Sequence, residues 1–123
     1  MPQFLTIRTK FLPLLLMLSI GLLSGCATSS PGLYYWGSYQ EQVYTQYSKP
    51  DKATPERQIA ALERDIQKAK AANKPLPPGF YAHLAYQYLV TGNKTKATEY
   101  LMLEKQIFPE STVYVDLMLK HAS

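Results

Sequence analysis

Three prolines within four residues, Pro75, Pro77 and Pro78, followed by Gly79, forbid a helix from running through the middle of this 123-residue chain. Proline lacks a backbone N–H and its ring clashes with the preceding turn. The segments on either side of residues 73–79 must therefore be separate elements joined by a stiff connector. On the N-terminal side, Thr54 followed by Pro55 supplies an N-cap and a first-turn proline, and the spacing predicts a helix from Pro55 to about Ala72. Glu56 lies in its first turn and Lys68 and Lys70 near its end, as the helix dipole favours. Its apolar positions Ile59, Leu62, Ile66 and Ala69 form one narrow stripe for a partner helix. Arg57, Glu63, Arg64, Asp65, Lys68 and Lys70 read as a mostly solvated face.

Beyond the prolines, Tyr81, Leu84, Ala85 and Tyr88 share one helical face, Gly92 and Asn93 break the chain, Ala97 and Leu101 open a second face, and Pro109 ends it. Small side chains at Ala85 and Ala97 let two antiparallel helices approach closely, while Leu84, Tyr88, Leu101, Ile107 and Phe108 fill the remaining contacts. From Pro78 to Ser111 this pattern resembles a tetratricopeptide repeat of 34 residues. One position departs: Glu104 stands where the repeat carries a second small residue on its second helix. Ser111 is expected to cap a last helix in which Val115, Met118, Leu119 and Ala122 follow the i, i+3, i+4, i+7 pattern. A lone repeat does not bury its apolar face, so the Pro55 helix, the last helix and the segment before them must cover it. The expected fold is all-α, a short helical hairpin array resembling one tetratricopeptide repeat plus flanking helices.

The segment preceding these helices is aromatic. Tyr34, Tyr35, Trp36, Tyr39, Tyr44 and Tyr47 hold five of the ten tyrosines and the only tryptophan. Ser38 followed three residues later by Glu41 is a capping-box signature and predicts a short helix from about Tyr39 to Tyr47. On it Tyr39, Val43 and Tyr47 recur every four residues, with Tyr44 beside the stripe. These six aromatics suit a core that borders water, and they suit a binding surface for a peptide, a glycan or the lipid interface. Both readings stand at this level.

The N-terminus gives the chain an address. Residues 1–10 carry Arg8 and Lys10 without an acid, and Phe11 to Leu23 is a 13-residue apolar run, short of the roughly 20 residues that span a bilayer. Leu23, Ser24, Gly25 and Cys26 then resemble a bacterial lipobox, in which the cysteine thiol takes the lipid and becomes the new N-terminus. The expected organisation is a lipoprotein signal peptide at 1–25, a small polar tether at 26–32 and a helical domain at 33–123. Acyl chains on Cys26 would hold the protein to the membrane without spanning it. Ala27 after the cysteine, by resemblance to bacterial lipoproteins, directs it to the outer membrane. Loss of residues 1–25 leaves 11 basic against 9 acidic residues, too weak an excess to favour nucleic acid.

No reaction chemistry is legible. His83 and His121 lie far apart without metal-ligand spacing and read as surface or rim residues. There is no glycine-rich phosphate loop or Gly-x-Ser-x-Gly elbow, so neither an enzyme nor a cofactor is expected. Leu33-Tyr34-Tyr35-Trp36-Gly37, Val43-Tyr44, Pro75-Leu76-Pro77-Pro78-Gly79 and Phe108-Pro109-Glu110-Ser111 together resemble the small proteobacterial lipoproteins of domain-of-unknown-function family 4810. The resemblance brings no catalytic residues. It implies an envelope lipoprotein, often encoded near a lipoprotein that resembles the curli secretion channel, and hence an adaptor with another envelope protein as partner. A structural or glycan-contacting lipoprotein using the aromatic segment is the alternative.

Overall fold

The computed structural model describes residues 32–122. The leader with Leu23, Ser24 and Gly25, the lipidation candidate Cys26, the tether up to Pro31 and the terminal Ser123 lie outside the described residues. Among the described residues five α-helices follow one another: α1 (Tyr39–Ser48), α2 (Pro55–Ala71), α3 (Phe80–Val90), α4 (Lys94–Ile107) and α5 (Thr112–Ala122). Single 3-10 turns at Pro50–Lys52 and Pro109–Ser111 lead into α2 and α5. No strand occurs among the described residues, and the domain is all-α. No described helix is long and apolar enough to cross a membrane.

Local chemistry sets most of the boundaries. Thr54 accepts a hydrogen bond from the Arg57 N–H at 3.4 Å and opens α2, which ends at Ala71 just short of the proline connector. Gly92, at φ +79°, makes the tight turn between α3 and α4, and the Asn93 side chain then accepts from the Lys96 N–H at 3.1 Å. The closest helix packing is within the α3–α4 hairpin, followed by α4–α5 and α2–α3.

Two apolar clusters result. Leu62, Ile66 and Ala69 of α2 meet Leu76, Phe80 and Leu84, while Ala85, Ala97, Leu101, Val115 and Met118 join α3, α4 and α5. Phe80, Leu62, Leu84 and Leu101 are fully buried, each contributing about 1.5–3 kcal/mol of transfer free energy. Tyr88 and Tyr100 border both clusters. Their rings lie 5.8 Å apart and nearly parallel, and Tyr81 also stacks with Tyr100, at 6.0 Å. The Tyr88 hydroxyl donates to Glu63 of α2, and burial together with that carboxylate pushes the phenol well above its ordinary range.

Four expectations are corrected. Ile107 is exposed because α4 ends there and Phe108, the next residue, turns into the core in its place. Ser38 and Glu41 form no capping box: the Ser38 side chain caps nothing on its own helix. Both its N–H and its hydroxyl donate instead to one oxygen of Asp65, at 2.8 and 2.7 Å. Asp65 is consequently not part of a solvated face, since only 3% of it is exposed. The Ser111 hydroxyl, expected at the start of the last helix, donates to Glu104 at 3.2 Å.

Asp65 explains the glycine before Ser38. Gly37 adopts φ +48°, and a Cβ there would sit 2.5 Å from the Asp65 carboxyl carbon. The chain thus closes onto the carboxylate at Gly37, and the Tyr35 N–H donates to the Pro75 carbonyl at 2.8 Å, pinning the aromatic segment against the proline connector. Replacing Asp65 by Ala leaves two donors of Ser38 unmatched and is expected to lower the unfolding free energy by about 2–3 kcal/mol in urea denaturation. Glu41→Ala should change it by less than about 0.5 kcal/mol. Equal losses in the two variants would restore the local capping box.

Candidate functional site

The residues singled out in the aromatic segment separate in space. Tyr35 and Tyr39 pack against the first apolar cluster, and half-buried Tyr34 meets Phe108 and Trp36 edge to face, both at 6.4 Å. Trp36 remains 43% exposed while stacking on Tyr39 at 6.4 Å. Tyr44 and Tyr47 point outward, with 66% and 81% of their surface accessible. Tyr39 and Tyr47 line one groove that Tyr34, Tyr35, Trp36 and Tyr44 do not.

That groove, about 470 Å³, is bounded by α1, the start of α3, and α5. From α1 come Tyr39, Val43, Gln46 and Tyr47; Gly79, Ala82, His83 and Tyr86 form the opposite side; Glu104, Ser111 and Tyr114 complete it. Tyr86 and Tyr114 also border a second, mainly apolar section of about 430 Å³ with Leu89, Val90, Met118 and His121. The two hollows therefore share two aromatic wall residues. Tyr86, Tyr114 and Val90 are 42%, 53% and 54% exposed, which leaves large apolar surface open along this face. A different concavity, about 630 Å³ between α2 and α4, is edged by charges of both signs, Glu63, Arg64, Lys70 and Glu99.

Glu104 occupies the position where the repeat pattern wants a small residue, and the structure shows what the carboxylate does there. It is fully buried, and its Oε1 accepts the Gly79 N–H at 2.7 Å. Gly79 is the residue before α3, with φ +86° and no side chain to cap the helix, so Glu104 supplies the acceptor from α4. A Cβ on Gly79 would lie 2.9 Å from the Tyr39 hydroxyl, so this residue also admits α1 to the groove. Burial raises the phenol pKa values of Tyr39 and Tyr114, and the Glu104 charge raises both further. Both hydroxyls stay protonated and available as donors.

His83 belongs to the groove wall and packs edge-on to Tyr39 at 5.8 Å, whereas His121 is exposed at the far end of the second section. The His83 Nε2 lies 2.8 Å from the Oε1 of fully buried Gln58. The other Gln58 amide atom, Nε2, faces the Ala53 carbonyl, so the imidazole donates to Gln58 from Nε2–H. Gln87, also buried, donates to Gln46 at 2.8 Å and ties α3 to α1 beside it. No group of three or more metal-ligating side chains occurs among the described residues.

Sequence reasoning missed Tyr86, Tyr114 and the role of Glu104. The first two lie off the buried stripes of α3 and α5, and periodicity marks only the stripe. Glu104 did leave a signal, as the one departure from the repeat pattern.

Burial lowers the His83 pKa below its ordinary 6.5. The unfolded chain therefore binds the proton more readily, and stability is full above about pH 6.5 and declines as the pH falls toward the lowered folded value. His83→Gln should flatten this decline in urea midpoints compared at about pH 7.5 and 5.5. An unchanged pH slope would contradict it.

No curated protein and no solved structure matches the chain. The model of the family described as Domain of unknown function (DUF4810) matches residues 33–118, a span that takes in the aromatic segment, both apolar clusters up to Met118 and every wall of the groove around Glu104. On that match, which covers well over half of its length, the chain belongs to the DUF4810 family.

Proposed function

We propose that the protein is a lipid-anchored, non-catalytic adaptor of the bacterial cell envelope, held by Cys26 to the outer membrane on its periplasmic side and engaging a protein partner of a secretion or assembly system. In this reading the α3–α4 hairpin is a single unit of tetratricopeptide type, closed on one side by α2 and on the other by α5. The α1 segment packs Tyr39 against Phe80 and His83 at the start of α3. The observation that carries the reading is the pair of neighbouring hollows that share Tyr86 and Tyr114, one of them mainly apolar, because exposed tyrosines flanking such hollows are the makings of an interface hot spot. Leu23-Ser24-Gly25-Cys26 behind a short apolar run supports the anchor. Anchoring confines the adaptor to a thin layer and raises its effective concentration for a partner there without any new contact.

The test is photocrosslinking in native membranes, with p-benzoylphenylalanine replacing either Tyr47 in the groove or Lys68 on the exposed side of α2. A discrete protein adduct is expected at Tyr47 and none at Lys68, and Cys26→Ser should abolish both the adduct and retention in the membrane fraction. Equal labelling at the two positions, or none at either, contradicts the adaptor reading. Binding to cell-wall sacculi without a protein adduct would replace it with a glycan-contacting role. Retention of Cys26→Ser with the membranes contradicts the anchor.

A further inference from the structure

Resting on the adaptor reading, we propose that the groove section around Glu104 receives a lysine side chain from an extended segment of the partner, with the free oxygen of Glu104 as its counter-ion. Glu104 is fully buried, and its two oxygens are used unequally. Oε1 accepts from Gly79 N–H and Ser111 Oγ, at 2.7 and 3.2 Å, whereas Oε2, also buried, has no hydrogen-bond partner among the described residues. An unmatched buried carboxylate oxygen is costly, and a carboxylate facing a groove is matched at least expense by a cation supplied from outside.

The surroundings favour that ligand. No lysine or arginine is present among the groove-lining residues, so nothing on the walls competes for the carboxylate. The His83 Nε2–H is already directed at Gln58. Tyr39, Tyr47, Tyr86 and Tyr114 line the groove, and an aromatic ring carries a negative quadrupole on its face that attracts an ammonium group. The single free oxygen selects lysine over arginine, because a guanidinium fork needs two acceptors and a point-charge ammonium needs one. The adjoining section with Leu89, Val90 and Met118 offers an apolar seat for a neighbouring side chain of the same segment. Oε2 exposes under 1 Å², so a ring at the rim must yield for the ammonium to reach it. Tyr47 and Tyr114, at 81% and 53% exposure, are the rings least held by packing.

The experiment titrates the full chain, purified in detergent, with n-butylammonium, n-butylguanidinium and n-butanol, and follows the Gly79 amide resonance, whose proton is bonded to Glu104. The ammonium should shift it saturably, the guanidinium more weakly, and the alcohol not at all. Glu104→Gln, which retains an oxygen for Gly79 and Ser111 while removing the charge, should weaken the ammonium by about tenfold or more. Tyr114→Leu leaves the carboxylate in place and should weaken it by about threefold, which keeps the proposal falsifiable if Glu104→Gln fails to fold. Equal affinity in wild type and both variants overturns the proposal, as does a response to n-butanol matching that to the ammonium. A Tyr47 adduct combined with no saturable ammonium shift overturns this proposal alone. A saturable shift with no adduct overturns the partner reading and leaves the ammonium site standing.

Discussion

Two buried carboxylates, each accepting the backbone N–H of the residue that opens a helix elsewhere in the chain, hold this small domain in register. Asp65 of α2 takes the N–H of Ser38 before α1, and Glu104 of α4 takes that of Gly79 before α3. Both helices begin after a glycine in the left-handed region or at one, and neither has a side-chain cap of its own. The positive end of each helix would otherwise face a partly buried site with an unmatched donor. Supplying the acceptor from a distant helix meets that need and fixes tertiary position with the same bond. The bonds span 27 and 25 residues, so they act as crosslinks as well as caps.

The groove is a consequence of that arrangement. The Asp65–Ser38 contact brings Tyr39 against Phe80 and His83, so that α1 forms one wall. Glu104 seats Gly79 beside the Tyr39 hydroxyl and collects Ser111, which sets where α5 begins and where Tyr114 stands. The carboxylate that caps α3 through one oxygen lines the groove, and its other oxygen is buried with no hydrogen-bond partner among the described residues. One oxygen of this side chain thus carries the structural contacts, and the other is left for the ligand proposed above. The bonds to Gly79 and Ser111 account for a glutamate where close helix packing alone would favour a small residue.

Helix α2 was legible from the sequence because its signals are local: Thr54 and Pro55 start it, the apolar stripe fixes its buried side, and the prolines stop it. The α3–α4 turn was legible for the same reason, since Gly92 supplies a positive φ that other residues adopt with strain. What could not be read were the nonlocal polar contacts. Ser38 and Glu41 satisfy the capping-box pattern, yet Ser38 bonds to Asp65, because a buried carboxylate at the right distance outcompetes a solvated Glu41. Asp65 looked like one of six charges on a helix surface until the position of Gly37 was known. The aromatic segment resolved into packing and exposed members for a similar reason: residue type gives Tyr35 and Tyr47 the same affinity for an interface, and only the path of α1 tells them apart.

Amide hydrogen exchange at Ser38 and Gly79 tests the central claim most directly. If Asp65 and Glu104 hold the two helix starts, both N–H groups should exchange as slowly as the core amides of Leu84 and Leu101, even though no N–H at such positions is bonded within its own helix. Exchange of either at the rate of the exposed amides of α1, such as Glu41, would show that its carboxylate contact opens freely and would contradict the account.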